Sequence, residues 1–170
     1  MKVNGNHYHS IWYDKKLDQV KIIDQRLLPY EFKVITVETL EDFENAIKDM
    51  AVRGAPLIGA TAAFGIARQM LRDHSNKNLD LSWDRLNQTR PTAINLKWAL
   101  NRCRNHLINI PLTDRGYEAM QLAIEIANED VEINKKIGLN GLEIIKSIAK
   151  KKPKGEPTRL LTHCNAGWLA

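Results

Sequence analysis

The sequence predicts a mainly α-helical domain, with a small antiparallel β element before it and the opening strand of an α/β unit after it. Three observations carry this reading. β-branched and aromatic runs fill the first 37 residues. Apolar residues then recur at helical spacing from Leu40 to Ala149. A short apolar run followed by small turn residues comes last.

Residues 10–13, 20–23 and 32–37 are strand-like, separated by Asp14-Lys15-Lys16-Leu17-Asp18 and by Leu28-Pro29. At Thr39 the period changes. Thr39-Leu40-Glu41-Asp42 has the form of a capping box, with Asp in place of the usual Glu. Leu40, Phe43, Ile47 and Met50 follow on one helical face. That helix ends at Val52-Arg53-Gly54-Ala55, and Pro56 suits the first turn of the next. Gly59, Ala60, Ala62, Ala63, Gly65 and Ala67 keep nearly every face of this second helix small. A helical glycine costs about 1 kcal/mol relative to alanine, so its two glycines imply close packing and a central, buried position.

His74-Ser75-Asn76-Lys77-Asn78 reads as a loop, Ser82 as the cap of a short helix to Thr89, and Arg90-Pro91 as its break. Leu96, Leu100, Cys103 and Leu107 form the stripe of a further helix. After Pro111 the pattern restarts with Tyr117, Met120, Ile124, Ala127 and Val131, and continues with Leu142, Ile145 and Ala149. A kink or break is expected at Gly138 and Gly141. The Lys150-Lys151-Lys152-Pro153-Lys154 cluster, beside Gly155 and Pro157, reads as a solvated linker. Arg159-Leu160-Leu161-Thr162-His163 then reads as a strand, Cys164-Asn165-Ala166-Gly167 as the turn leaving it, and Trp168-Leu169-Ala170 as a helix start. These are the first steps of a βαβ unit. The chain so divides into a β-rich element at 1–38, a helical domain at 39–152, and a linker with one strand and turn at 153–170.

Composition narrows the function classes. The 170 residues are 44% hydrophobic, in the range of a globular protein. The longest apolar candidate, residues 56–67, closes at Arg68, short of the roughly 18 residues that a membrane span requires. The N-terminus lacks the apolar stretch of a signal peptide, and two cysteines make no disulfide framework, so a cytoplasmic protein is expected. The net charge of +5 is compatible with an anionic partner. The lysine cluster has no interleaved aromatic residues, so no nucleic-acid partner is expected.

Three places can carry chemistry. Arg53-Gly54-Ala55-Pro56 sets a guanidinium and backbone N–H groups at a helix start, which suits a phosphate. Spacing alone fits an ordinary turn with a solvated arginine as well. Arg90-Pro91-Thr92 repeats the arrangement with the same alternative open. Cys164 ends the last predicted strand, where open α/β sheets place their ligands and where a helix start favours a thiolate. A buried structural cysteine is the other reading. Cys103 lies on an apolar stripe and reads as core. His163 adjoins Cys164 but, in a strand, points to the opposite face, so the two form no dyad. His7, His9, His74 and His106 show no metal-ligand spacing.

These segments combine into a pattern. Asp24-Gln25-Arg26-Leu27-Leu28-Pro29, Met50-Ala51-Val52-Arg53-Gly54-Ala55-Pro56 and Arg90-Pro91-Thr92-Ala93-Ile94-Asn95-Leu96 occur in that order. Glu129-Asp130-Val131-Glu132-Ile133-Asn134, with Ile137-Gly138 behind it, and Thr162-His163-Cys164-Asn165-Ala166-Gly167 complete the series. Over essentially its whole length the chain resembles the methylthioribose-1-phosphate isomerases. Their wider superfamily includes ribose-bisphosphate isomerases and the regulatory subunits of the translation-initiation guanine-nucleotide exchange factor.

The resemblance implies a helical N-terminal domain followed by a Rossmann-like domain, of which this chain holds only the first strand. It implies the aldose–ketose isomerisation of 5-methylthioribose 1-phosphate to 5-methylthioribulose 1-phosphate in methionine salvage, with no metal and no cofactor. Arg53, Gly54, Ala55 and Arg90 would bind the substrate, largely through its phosphate, and Cys164 would act at the reacting carbons as base or transition-state stabiliser. The family's general acid, an aspartate, would lie beyond Ala170, so the chain alone is expected to be inactive. A homodimer or a separate C-terminal half is the expected partner. The alternative the resemblance leaves is a non-catalytic regulatory or scaffold protein akin to the exchange-factor subunits, or a ribose-bisphosphate isomerase.

Overall fold

Residues 2–163 are described by a computed structural model. Alternating apolar residues build the first layer. β3 (Ile11–Asp14), β4 (Gln19–Ile23) and β5 (Val34–Val37) form an antiparallel meander in which Ile11 opposes Ile22 and Val20 opposes Val37. Those four side chains are buried and join the helical core. A small hairpin, β1 (Lys2–Val3) with β2 (Asn6–His7), precedes the meander. It was not expected from the strand-like runs, yet Asn4-Gly5 is its signal: both residues take positive φ (49° and 84°), as a tight two-residue hairpin demands.

α1 (Leu40–Lys48) starts with the expected capping box. Thr39 Oγ1 accepts from the Asp42 N–H at 3.1 Å, and Asp42 Oδ2 accepts from the Thr39 N–H at 2.8 Å. The helix stops before Met50, which turns to φ 57° and is exposed rather than sharing the buried face of Leu40, Phe43 and Ile47. α2 (Ala55–Met70) is the central helix, touching α1, β3 and the three later helices, α3 (Asn76–Asn87), α4 (Ile94–Leu107) and α5 (Arg115–Ala149). Its small residues permit this. A Cβ on Gly65 would stand 3.2 Å from Phe43 Cγ and 3.1 Å from Leu86 Cδ1.

α3 begins earlier than the sequence reading placed it. Ser75, not Ser82, is the cap, accepting from the Asn78 N–H at 3.1 Å. Leu79, Ser82 and Leu86 form its buried stripe, so the helical period runs back into the polar segment. A fork from Arg85 to Glu44, at 2.7 and 2.6 Å, ties α3 to α1. Buried Arg115 binds the carbonyls of Ile110 and His74 and the Asn76 side chain, fastening two loops to the start of α5.

α5 is one unbroken helix of 35 residues, correcting the expected break. Gly138 and Gly141 have no neighbour within 4 Å of a virtual Cβ, so no contact forces a bend, and glycine keeps the backbone N–H that proline would remove. Full burial on α5 ends near Ile126, and from Val131 to Ile148 its large apolar side chains are exposed apart from the half-buried Ile145. Residues 159–163 form no strand, contrary to the reading of that run. Leu160 and Leu161 are exposed, and none of the described strands lies beside them to supply the ladder that defines one. The proposed Cys164 turn lies outside the described residues. No helix among the described residues is long and apolar enough to cross a membrane.

Candidate phosphate-binding cleft

The loop that leads into α2 is held from behind. The Gln25 N–H donates to the Ala51 carbonyl at 2.9 Å, and the Val52 N–H to the Ala46 carbonyl at 3.1 Å. Just before Gln25, the buried Asp24 carboxylate accepts a fork from Arg26, with Nε at 2.8 Å and Nη2 at 2.6 Å. The Arg26 hydrogen bonds hold the Asp24 carboxyl below its ordinary value against the opposing effect of burial. A lowered carboxylate contributes stability above its unfolded pKa, about 3.9, and loses it as pH falls through the lower folded value. The urea midpoint of the wild type should therefore fall more steeply below about pH 4 than that of Asp24→Asn. Parallel acid limbs would show that the clasp adds nothing to stability.

At the end of this loop Gly54 takes φ 99°, a conformation that side chains rarely adopt, and caps α2 without any side-chain hydrogen bond. The first turn therefore presents backbone N–H groups unclaimed by a cap, at the positive end of a 16-residue helix. Arg53, Gly54 and Ala55 are exposed here, and the Arg53 side chain has no ion-pair or hydrogen-bond partner among the described residues.

The start of α4 lies beside the start of α2. A Cβ on Gly59 would come within 2.8 Å of the Asn95 carbonyl oxygen and 3.3 Å of the Ala99 Cβ. Gly59 lies only about 6 Å along the axis from Ala55, and Asn95 is in the first turn of α4. The sequence reading named both helix starts, but their adjacency is a tertiary fact. Arg90, in the turn before α4, is half-buried and likewise unpartnered among the described residues.

On its other side the start of α2 opens into a cleft of about 510 Å³. Gly54, Pro56, Leu57 and Phe64 of the α2 segment form one wall, Tyr8 and Trp12 a second, and Ile124, Asp130 and Asn134 of α5 a third. The volume is that of a small-molecule site, and its lining mixes apolar side chains with polar ones, among them Ser10, Lys15 and Asn128. Of the residues expected to bind the substrate, Gly54 lines it, and Arg53, Ala55 and Arg90 do not. Burial lifts the Asp130 carboxyl above its ordinary value, and hydrogen bonding from Asn134 only opposes this. Asp130 and Asn134 are not expected from the sequence as cleft residues. Their signal was an acid and an amide four apart on a helix, hence one above the other. His7 and His9 also reach the cleft. Among the described residues no cluster of His, Cys, Asp and Glu is arranged to hold a metal ion. Cys103 is core, as expected, with its thiol pushed up to about 12 by burial.

Residues 51–170 match the family model described as "Initiation factor 2 subunit family". The chain belongs to that family. Within it, the chain is 57% identical over 170 residues to a methylthioribose-1-phosphate isomerase of Brucella anthropi, covering all of this chain and 47% of that protein. The enzyme of the same name from Escherichia coli O45:K1 is 49% identical, with 46% of its length covered. The chain thus spans about half the length of the curated relatives it matches. Two solved structures share the fold. One is 5-methylthioribose 1-phosphate isomerase from Pyrococcus horikoshii, with TM-score 0.73 and 40% identity over 81% of this chain and 41% of that one. The other is the delta subunit of translation initiation factor eIF-2B from A. fulgidus, with TM-score 0.67 and 35% identity over 74% of this chain and 38% of that one.

Proposed function

We propose that this chain supplies the phosphate-binding side of an aldose–ketose isomerase acting on 5-methylthioribose 1-phosphate. The observation that carries this is the 57% identity, across the whole chain, to a relative named for that isomerisation. The geometry supports it: two uncapped helix starts side by side, each preceded by an unpartnered arginine. Arg53 and the N–H groups at Gly54 and Ala55 hold the phosphate, and Arg90 approaches it from the α4 side. Phosphate on the anomeric carbon keeps the sugar ring from opening spontaneously. The enzyme opens it, and the hydrogen lost from C2 is balanced by one gained at C1, so the reaction consumes no oxidant or reductant. Cys164 acts at those carbons as base or transition-state stabiliser. The acid that completes the reaction, and the rest of the pocket, belong to a part corresponding to the unmatched half of the relatives, or to a second chain.

The likeness to the eIF-2B delta subunit favours a second reading, a regulatory or scaffold protein without catalysis. Cys164 within Cys-Asn-Ala-Gly, together with both arginines, speaks for the isomerase. Calorimetric titration with inorganic phosphate tests the shared premise. Arg53→Ala and Arg90→Ala are each expected to weaken binding about tenfold or more, since a hydrogen bond to a charged group contributes about 1.5–3 kcal/mol. Unchanged affinity in both variants would return these arginines to solvated turns.

A further inference from the structure

Other acids along α5 have basic partners. Arg102 Nη2 binds Glu125 and Glu129, each at 2.9 Å, and the guanidinium lies 5.6 Å from the centre of the Trp98 ring. Glu132 lies 3.7 Å from Lys135. Asp130 differs from all three. It lines the cleft, is half-buried, and has no Lys, Arg or His within ion-pair distance among the described residues. Asn134 lines the same cleft one turn on, and its Nδ2 donates to the Asp130 carbonyl at 2.9 Å, which fixes the amide and leaves its oxygen as an acceptor.

A partly desolvated carboxylate without a cation is costly unless hydrogen-bond donors reach it. The neighbouring Asn134 amide gives its hydrogen bond to the Asp130 backbone carbonyl and only partly offsets the effect of burial on the carboxyl. Asp130 lines a cleft in which Trp12, Leu57 and Phe64 are apolar, while His7, His9, Ser10 and Lys15 line it elsewhere, none of them within hydrogen-bond or ion-pair distance of its carboxylate among the described residues. At about 510 Å³ the space far exceeds a phosphate ion. Neutral hydroxyl donors suit such a carboxylate better than a second anion, and vicinal hydroxyls fit its two oxygens.

We propose that Asp130, with Asn134 one turn on in the same cleft, reads the ring hydroxyls of a phosphorylated pentose whose phosphate rests at the start of α2. The inference builds on the isomerase reading and assigns the sugar-recognising residue of that site. Asp130 accepts from the 2- and 3-hydroxyls, and the apolar wall of Trp12, Leu57 and Phe64 takes the uncharged end of the ligand.

The test is calorimetry on the chain with three probes: inorganic phosphate, ribose 1-phosphate and 2-deoxyribose 1-phosphate. The wild type is expected to bind ribose 1-phosphate about tenfold more tightly than its 2-deoxy analogue, the order of one charge-assisted hydrogen bond. In Asp130→Asn that gap should close while phosphate affinity stays as it was. Arg53→Ala should weaken all three ligands together and leave the gap open. A gap that persists in Asp130→Asn, or a loss of phosphate binding in parallel with sugar binding, overturns the assignment. If the wild type binds phosphate but shows no ribose preference, Asp130 reads no hydroxyl and only this inference falls. If the wild type binds none of the three, the phosphate site at the start of α2 falls and takes this inference with it, whereas the isomerase reading still stands on the identity to its relatives.

Discussion

Phe64→Ala is expected to lower the free energy of unfolding by about 3–5 kcal/mol. Phe64 is 1% exposed and sits on α2 among Ala60, Ala63, Gly65 and Ala67, which have little or no side chain to swing into a void. The cost of a large-to-small change grows with the cavity that survives it. A helix surrounded on every side by fixed neighbours cannot collapse by moving toward any one of them. The missing ring would also merge with the cleft, which Phe64 lines. Equilibrium urea unfolding measures the loss. A change below about 1 kcal/mol would mean that the site relaxes, and that α2 is not gripped as described.

Gly59→Val is expected to cost about 1–3 kcal/mol by overpacking, and to weaken phosphate binding as well. The clash is with a backbone oxygen, that of Asn95, which cannot rotate aside as the end of a side chain would. α2 and α4 must therefore separate where their starts adjoin, moving Arg53 and Arg90 apart without removing a charge. Gly138→Ala is the built-in comparison. Nothing lies within 4 Å of a Cβ there, so the helical preference for alanine, about 1 kcal/mol, goes unopposed. In denaturation and phosphate titration Gly59→Val should lose both stability and affinity, and Gly138→Ala should lose neither. Intact phosphate binding in a destabilised Gly59→Val would uncouple helix packing from the anion site.

Much of the architecture could be read from local chemistry. The capping box at Thr39, the small-residue helix from Pro56 and the stripe through Cys103 each announce themselves within a few residues, and each occurs as expected. The readings that failed depended on choosing between two local signals or on a distant neighbour. Ser75 and Ser82 are both acceptable caps, and the buried stripe of Leu79 and Leu86 decides between them. The glycines of α5 looked like a break because spacing shows where a helix can bend, not whether anything bends it. The candidate site shows the same division. Arg53-Gly54-Ala55-Pro56 is legible as a helix start, but a cleft walled by residue 8, residue 57 and residue 130 is made by three segments meeting, which no spacing records.

The single long helix α5 carries one more consequence. At about 1.5 Å per residue it extends roughly 52 Å, and its two halves answer to different physics. The first is set by tertiary burial through Ile126, so it is lost only with the domain. The second, beyond Asn134, touches little else among the described residues and includes two glycines. Its order there follows helix–coil statistics, in which each residue adds one backbone bond and warmth erodes the end gradually. Asp130 stands at the boundary between these regimes. The carboxylate of the cleft is thus carried by the last turn that the core holds in place, and the span beyond it can unwind and re-form without the anion-binding loop being disturbed.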